Sequence, residues 1–233
     1  KPYLYHPEQY PQCLTALNRM LACAYQRSRN AFVVETGGRI VATALMHDRK
    51  VGFASNITSG GYELFRYATP RLIADFANVT NRADQIAIDN GDFDWYLEIL
   101  SVDKTMRGRG VGRWLVSKVL PDFVARKGGH AYGFVTSTES NARFYLNGGC
   151  ELLDRVDVTM RERSCPIWAF QRKAEADPVL VPGRVGGVVE SSASRREAAA
   201  ARASVGCSYA DAFTCAERTS GESLAQGRRR WPQ

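Results

Sequence analysis

The apolar positions in the first 50 residues follow two different periods. Between residues 8 and 28 they recur every three or four positions, which predicts an amphipathic helix with one buried face: Leu14, Leu17, Met20, Leu21 and Tyr25. Between residues 31 and 48, two runs rich in β-branched and apolar residues flank Thr36-Gly37-Gly38. A Gly-Gly pair between such runs is typical of a tight turn, so this segment is predicted to form a β-hairpin.

Helix and strand patterns alternate through the middle of the chain. Residues 61–86 favour a helix interrupted near Pro70, and residues 94–102 favour a strand. After a glycine-rich turn, a second amphipathic pattern has its apolar positions at Leu115, Val116, Val119, Leu120 and Phe123. Pro121 has no N–H to donate, so we expect it to kink this helix or shift its hydrogen bonds. Gly128-Gly129 predicts where the helix stops.

Three further strands and one short helix complete the pattern. The strands are predicted at 131–137, 151–160 and 166–172, and the helix at 141–147. From residue 174 to residue 233 the chain becomes rich in Ser, Ala, Gly and Arg and loses its persistent periodicity. We therefore expect one folded domain over residues 1–173, followed by a mostly disordered, low-complexity tail over residues 174–233.

Composition narrows the choice of partners and compartment. The 233 residues carry a net charge of +7, which suits an anionic partner, either a nucleotide-like cofactor or a nucleic acid. Because the excess charge is small and scattered, no nucleic-acid partner is expected. The six cysteines form no C-x-x-C pair, so neither zinc nor any other metal is expected. We expect free thiols and a reducing, cytoplasmic compartment. No apolar run reaches the roughly 20 residues of a membrane span.

The glycine-rich turn at residues 107–112 carries the clearest chemical signal. It lacks the Lys and Ser/Thr of a P-loop, and its spacing does not match the G-x-G-x-x-G of a dinucleotide site. The remaining pattern is [Gln/Arg]-x-x-G-x-[Gly/Ala], placed after a strand and before a helix. Backbone N–H groups there can point into one concavity, and the helix dipole adds positive potential. The turn is therefore predicted to hold phosphate, with a glycine turn that has no ligand as the alternative.

Two blocks of sequence resemble the GNAT superfamily of acyl-CoA-dependent N-acetyltransferases. The first is WYLEILSVDKTMRGRGVGRWLV (95–116), and the second is VTSTESNARFYLNGGCEL (135–152). The second block matches the family segment in register at Thr136, Ser137, Asn141, Phe144, Tyr145 and Gly149. The resemblance points to the bacterial and fungal branch that includes puromycin N-acetyltransferase. Members usually begin with a further strand and helix, so the domain is expected to lack those first elements.

The resemblance implies an α/β (α+β) GNAT fold: a curved, mixed and mostly antiparallel sheet flanked by helices. The strand ending at Val102 and the strand at 131–137 should be parallel and splayed. Acetyl-CoA, the co-substrate of the family, would lie in that opening, with its pantetheine arm on the backbone of Leu100, Ser101 and Val102. Its pyrophosphate would lie on the turn, which comprises Arg107, Gly108, Arg109, Gly110, Val111, Gly112 and Arg113.

Acetyl transfer by direct attack needs a neutral amine, a polarised thioester carbonyl and a proton for the departing thiolate. The resemblance makes Tyr145 the acid, with packing of its ring in the core as the alternative. Asn141 would bind pantetheine or cap the short helix. Glu98 is the candidate base, since period-2 alternation places it on the same strand face as Val102, but a solvated carboxylate or salt bridge is equally compatible. His47 is a more distant candidate for the base.

Three functions remain open from the sequence. The first is an acetyl-CoA-dependent enzyme that acetylates a primary amine, with a small molecule as the expected acceptor. The second is an acyl-CoA-binding module with weak catalysis. In the third, the arginine-rich tail brings the chain to nucleic acid or to an acidic partner. The residues that would shape an acceptor pocket, 1–28 and 50–90, carry no readable signature.

Overall fold

The computed structural model describes residues 7–28, 30–48, 53–160 and 163–176. The expected low-complexity tail lies outside the described residues except for its first three positions, 174–176. The described helices are α1 (Tyr10–Arg27), α2 (Phe53–Thr58), α3 (Pro70–Asn90), α4 (Val111–Trp114), α5 (Leu120–Arg126) and α6 (Glu139–Asn147). The strands are β1 (Ala31–Thr36), β2 (Arg39–His47), β3 (Trp95–Val102), β4 (Ala131–Thr136), β5 (Glu151–Met160) and β6 (Arg163–Lys173).

The six strands form one sheet in the order β1-β2-β3-β4-β6-β5. All neighbouring strands are antiparallel except β3 and β4, which are parallel. The predicted hairpin is confirmed: Gly37 and Gly38 have φ of 56° and 72° and join β1 to β2 in a two-residue turn. The result is the mixed, mostly antiparallel sheet with flanking helices that the GNAT resemblance implied.

Each face of the sheet packs against its own helices. The α1/α3 face, as we call it, carries Leu45 and Ile99 against α1, and Tyr96 and Val135 against α3. The α5 face is opposite, and its core cluster packs β-strand residues against α5 and α6: Trp95, Leu97, Tyr132, Phe134, Phe170, Leu120, Val124, Ala142 and Tyr145. The residues of the site described below come from both of these faces.

The long helical segment after the glycine turn is interrupted by Pro121, as predicted. Residues Leu115–Val119 form a π-helical turn between α4 and α5, in which the Leu120 N–H bonds to the Leu115 carbonyl. Pro121 cannot donate to the next carbonyl, that of Val116, because its nitrogen carries no hydrogen. The buried Tyr132 hydroxyl donates to Val116 O instead, at 2.9 Å. A side chain from β4 therefore compensates for the missing helix donor.

The structure also corrects one predicted boundary. The helix predicted over 61–86 is a 3₁₀ segment, Gly61–Arg66, followed by α3, which starts at Pro70. Thr69 caps α3 by accepting from the Leu72 N–H, and proline suits the first helical position because its missing N–H would have no helical partner there. Among the described residues, none of the helices is both long and apolar enough to cross a membrane.

Candidate active site

The parallel strands β3 and β4 separate soon after they begin. They pair only at Trp95 with Tyr132 and at Tyr96 with Gly133. Beyond Tyr96, β3 continues along β2 as far as Val102, while β4 continues along β6. The β4-facing edge of β3 is thus left without a strand partner in the described part of the chain, so its backbone groups can bond to another molecule. This is the splay expected from the sequence, and it includes Leu100, Ser101 and Val102.

The glycine turn follows directly from the end of β3. Asp103 orders its first part, since its Oδ1 accepts from the Thr105 N–H at 2.7 Å and from the Thr105 hydroxyl at 2.6 Å. These bonds, with a smaller contribution from the charge of Arg39, lower the pKa of Asp103. Gly108 and Gly110 have φ of 75° and 82°, a region that side-chain-bearing residues rarely adopt.

The turn is an open cradle of backbone donors. Trp114 donates the first helical bond, to Gly110 O at 2.9 Å, so the N–H groups of Val111, Gly112 and Arg113 precede the helical ladder. A Cβ built at Gly108 or Gly110 meets no atom within 4 Å. Three exposed arginines surround this space: Arg107, Arg109 and Arg113. Donors, open space and positive charge together fit a pyrophosphate.

Gly112 brings the turn against the other parts of the site. A Cβ at this position would lie 3.3 Å from the Phe144 ring and 3.5 Å from a Val102 methyl. The start of α4, the end of β3 and the middle of α6 therefore meet at one point. A larger residue at 112 would have to displace one of them.

Tyr145 lies on α6 and packs on the α5 face of the sheet. It is 8% exposed, and its ring packs against Phe134 at 4.4 Å, Phe144 at 5.1 Å and Phe170 at 5.9 Å between centroids. The cap of α6 is Thr138, whose hydroxyl accepts from the Asn141 N–H at 3.4 Å. The suggestion that the Asn141 side chain caps this helix is therefore wrong, because Asn141 contributes its backbone to the cap.

Glu98 lies on the α1/α3 face, and a β-bulge places it there. In the pairing of β2 with β3, Leu45 lies opposite Ile99 and the next residue, Met46, lies opposite Leu97. Glu98 is therefore the extra residue of a β-bulge in β3. Val102 packs with Leu115 and Val119 on the other face. The prediction that Glu98 and Val102 share a face is wrong, since the bulge breaks the alternation on which it relied.

Glu98 is paired with His47, which the sequence offered only as a distant alternative. His47 Nε2 lies 3.4 Å from Glu98 Oε2, and the two side chains are 11% and 14% exposed. The Tyr25 hydroxyl from α1 is hydrogen-bonded to Glu98, and its ring lies 5.9 Å from the His47 ring. Burial, and then the negative charge of Glu98, raise the pKa of Tyr25, so its hydroxyl stays protonated and donates.

A second carboxylate on this face was missed by sequence reasoning. Asp84 of α3 is 5% exposed and accepts from the Tyr96 hydroxyl at 2.7 Å. Burial and the charges of Asp84 and Glu98 raise the pKa of Tyr96. The signal available beforehand was an aspartate between two alanines of the buried helix face, Ala83 and Ala87. Asp94, which shares the strand parity of Glu98, instead accepts from the backbone N–H groups of His130 and Ala131.

The described residues thus carry candidate functional groups on both sides of the opening between β3 and β4. The glycine turn and Tyr145 lie on the α5 face, and the Glu98–His47 pair lies on the α1/α3 face. In the same part of the chain, no group of three or more His, Cys, Asp or Glu residues could hold a metal ion.

Several solved structures are similar to parts of this chain. A polyamine N-acetyltransferase of Drosophila melanogaster is 15% identical with a TM-score of 0.42, covering 62% of this chain and 74% of that one. An arylalkylamine N-acetyltransferase-like protein of a mosquito is 10% identical with a TM-score of 0.41, covering 73% and 98%. A Corynebacterium glutamicum protein described as histone acetyltransferase HPA2 and related acetyltransferase is 20% identical with a TM-score of 0.43, covering 77% and 83%.

At these identities and TM-scores the structural likeness carries no argument about this chain. No curated protein sequence matches the chain significantly. The model of the Acetyltransferase (GNAT) family, in contrast, matches residues 2–148, which is more than half of the 233 residues. This chain therefore belongs to the GNAT acetyltransferase family and is an acyltransferase whose co-substrate is acetyl-CoA.

Proposed function

We propose that this acyltransferase moves the acetyl group to a primary amine of a small molecule by direct attack, with both substrates bound at once. The observation that carries the proposal is the opening between β3 and β4, which has an open glycine turn and a buried phenol on one face and a largely buried carboxylate–imidazole pair on the other. An acceptor approaching from the α1/α3 face would meet the base on its own side of the sheet.

Acetyl-CoA supplies the activated acetyl group, and the chain supplies binding and proton transfer. The N–H groups of Val111, Gly112 and Arg113 would hold its pyrophosphate. The free edge of β3, from Leu100 to Val102, would bond the pantetheine arm and polarise the thioester carbonyl.

Proton transfer is divided between the two faces. The Glu98–His47 pair would take the proton that the acceptor ammonium must lose before it can attack. Tyr145 would hold a proton for the departing sulfur, because a phenol with an ordinary pKa of about 10 stays protonated near neutral pH. None of these residues forms a covalent acyl-enzyme in this scheme.

The first experiment measures acetyl-CoA binding by titration calorimetry and then thiol release with a panel of primary amines. The panel contains putrescine, spermidine, agmatine, tryptamine, phenethylamine and puromycin. Saturable binding together with amine-dependent thiol release is expected. Binding without turnover on any amine, in a chain that also acetylates no peptide N-terminus, would favour the acyl-CoA-binding module instead.

The roles of Tyr145 and Glu98 are tested with the best amine of that panel. Tyr145→Phe is expected to lower kcat by about 10²-fold and to leave the acetyl-CoA Kd within a factor of about two, since general acid–base groups contribute about 10²–10⁴-fold. Glu98→Gln is expected to lower kcat/KM for the amine, most strongly at low pH, where fewer acceptor molecules are neutral. Tyr62→Phe, at a tyrosine that is 68% exposed, is the matched control. Equal rates for Tyr145→Phe and Tyr62→Phe would remove the acid role.

A further inference from the structure

Three polar side chains belong to the core cluster of the α5 face, and the half-buried Arg172 lies beside them. The three are Tyr132, Tyr145 and Cys150. Tyr132 interacts electrostatically with Tyr145, Cys150 and Arg172. The proposed mechanism uses only Tyr145, so the presence of a cation among these groups calls for a physical reason.

Arg172 reaches this position from β6 and holds the end of α6. It stands directly opposite Tyr132 in the β4–β6 register. Its Nη1 donates to Gly148 O at 3.3 Å and also to Gly149 O. These carbonyls belong to the turn that ends α6. A positive charge there also interacts favourably with the negative end of the helix dipole.

The same turn fixes the backbone of Tyr145. The Tyr145 carbonyl accepts from the N–H of Gly148 at 3.0 Å and from the N–H of Cys150 at 3.1 Å. Gly149 has φ of 79°, and Arg172 Nη1 occupies the space that a Cβ there would need. The turn can therefore adopt this shape only with glycine at position 149, and the guanidinium then locks it.

The guanidinium of Arg172 also acts on the ionisation of its neighbours. Within the described residues its Nε is buried without a hydrogen-bond partner. Burial raises the pKa of Cys150 to about 12, and the positive charge of Arg172 opposes that rise. The same charge opposes the burial-driven rise in the pKa of Tyr132. The guanidinium therefore favours negative charge on the groups around it.

We propose that Arg172 is a positioning residue for Tyr145: from β6 it locks the C-terminal turn of α6 and supplies positive charge to the pocket in which Tyr145 gives up its proton. The inference rests on the acid role proposed for Tyr145. When Tyr145 donates, its O–H bond breaks, an S–H bond forms on the departing thiolate, and a phenolate remains until solvent returns a proton. The positive charge of Arg172, which acts on Tyr132 in the same cluster, would lower the cost of that phenolate.

A double-mutant cycle between Arg172→Gln and Tyr145→Phe tests this inference through kcat for the best amine of the panel. Arg172→Gln is expected to lower kcat about tenfold in the wild-type background and less than twofold in the Tyr145→Phe background, because its effect passes through the phenol. Arg172→Lys keeps the charge and is expected to recover part of the loss. Arg155→Gln, in the same hairpin with its guanidinium over the Trp168 ring, is the control and should not change kcat.

A second readout needs neither acceptor nor acetyl-CoA. In protein labelled with tyrosine carrying ¹³C at Cζ, the Tyr145 signal is assigned by its absence in Tyr145→Phe. Arg172→Gln is expected to shift this signal and to move its alkaline titration to higher pH, whereas Arg155→Gln should do neither. If Arg172→Gln does not fold, Arg172→Met, which also removes the charge, takes its place in both measurements.

The outcomes separate the two proposals. If Tyr145→Phe lowers kcat and Arg172→Gln lowers it equally in both backgrounds, the acid role stands and the positioning role is overturned. If Tyr145→Phe does not change kcat, the acid role fails, and the positioning role fails with it whatever Arg172→Gln does. An unchanged Tyr145 signal in Arg172→Gln also overturns the inference.

Discussion

Two histidines of the described chain lie close to carboxylates, one in a buried site and the other at an exposed surface. His47 and Glu98 have side chains only 11% and 14% exposed, so their interaction is weakly screened; Tyr25 is hydrogen-bonded to Glu98, and the Tyr96 ring lies 5.4 Å from the His47 ring. His130 lies 3.3 Å from Asp92 and 3.4 Å from Asp94, but its side chain is 57% exposed. Solvent screens the second arrangement, so its effect belongs to stability rather than to catalysis.

His130 predicts a pH dependence of stability. Desolvation lowers the pKa of His130, but Asp94 and Asp92 together raise it above its ordinary value. A raised folded-state pKa contributes stability that is complete below the unfolded value of about 6.5 and disappears as the pH rises through the folded value. His130→Asn should therefore flatten the dependence of the unfolding free energy on pH between about 6 and 8. Urea unfolding at several pH values would show this, and 1 M NaCl should reduce the difference.

At the scale of the element, a gap in one helix is filled by a residue of the neighbouring sheet. Because Pro121 has no N–H, the Val116 carbonyl lacks the backbone donor that it would have in the π-helical turn. The Tyr132 hydroxyl donates to this carbonyl instead. The hydroxyl also ties the π-helical turn that precedes α5 to β4, one of the two strands that form the opening. The helix register and the strand position are therefore coupled by one buried hydrogen bond.

Removing that hydroxyl should destabilise the fold. Tyr132→Phe leaves the Val116 carbonyl buried and unsatisfied, which costs about 1–3 kcal/mol. In a Pro121→Ala background the new N–H can serve this carbonyl, so the cost of Tyr132→Phe should fall there. Guanidinium unfolding of the four variants measures the coupling. Equal costs in both backgrounds would show that the hydroxyl does not substitute for the helix donor.

At the scale of the whole molecule, the proposed co-substrate site joins parts that are distant in the chain. The end of β3, the start of α4 and the middle of α6 meet at Gly112, where Val102 and Phe144 are its neighbours. A ligand held by all three should stabilise the entire domain, because the site does not exist in the unfolded chain.

Acetyl-CoA should accordingly raise the melting temperature. At 100 times its Kd the expected stabilisation is about 2.7 kcal/mol. Gly110→Asp introduces a negative charge and a side chain at a φ of 82°, and it should abolish the shift. Gly37→Asp, at a φ of 56° in the β1–β2 turn, has the same backbone penalty but lies outside the site. The idea fails if the two variants lose the shift equally.

The sequence by itself predicted most of the elements and a glycine turn suited to phosphate, and its resemblance to the GNAT family implied the sheet class. The elements and the turn depend on local properties: apolar periodicity, the φ > 0 that Gly108 and Gly110 allow, and the missing N–H of Pro121. Alternation also predicted a face for Glu98, and this failed because a β-bulge depends on pairing with β2 and leaves no local signature.

Only the tertiary structure decided which side chains meet. The pairing of His47 with Glu98, of Asp84 with Tyr96 and of Arg172 with the end of α6 joins residues from separate elements. No spacing rule along one chain encodes such contacts, since each depends on how a helix is placed over the sheet and on which strand register holds. Local chemistry thus set what each segment could become, and packing set which of its groups could act together.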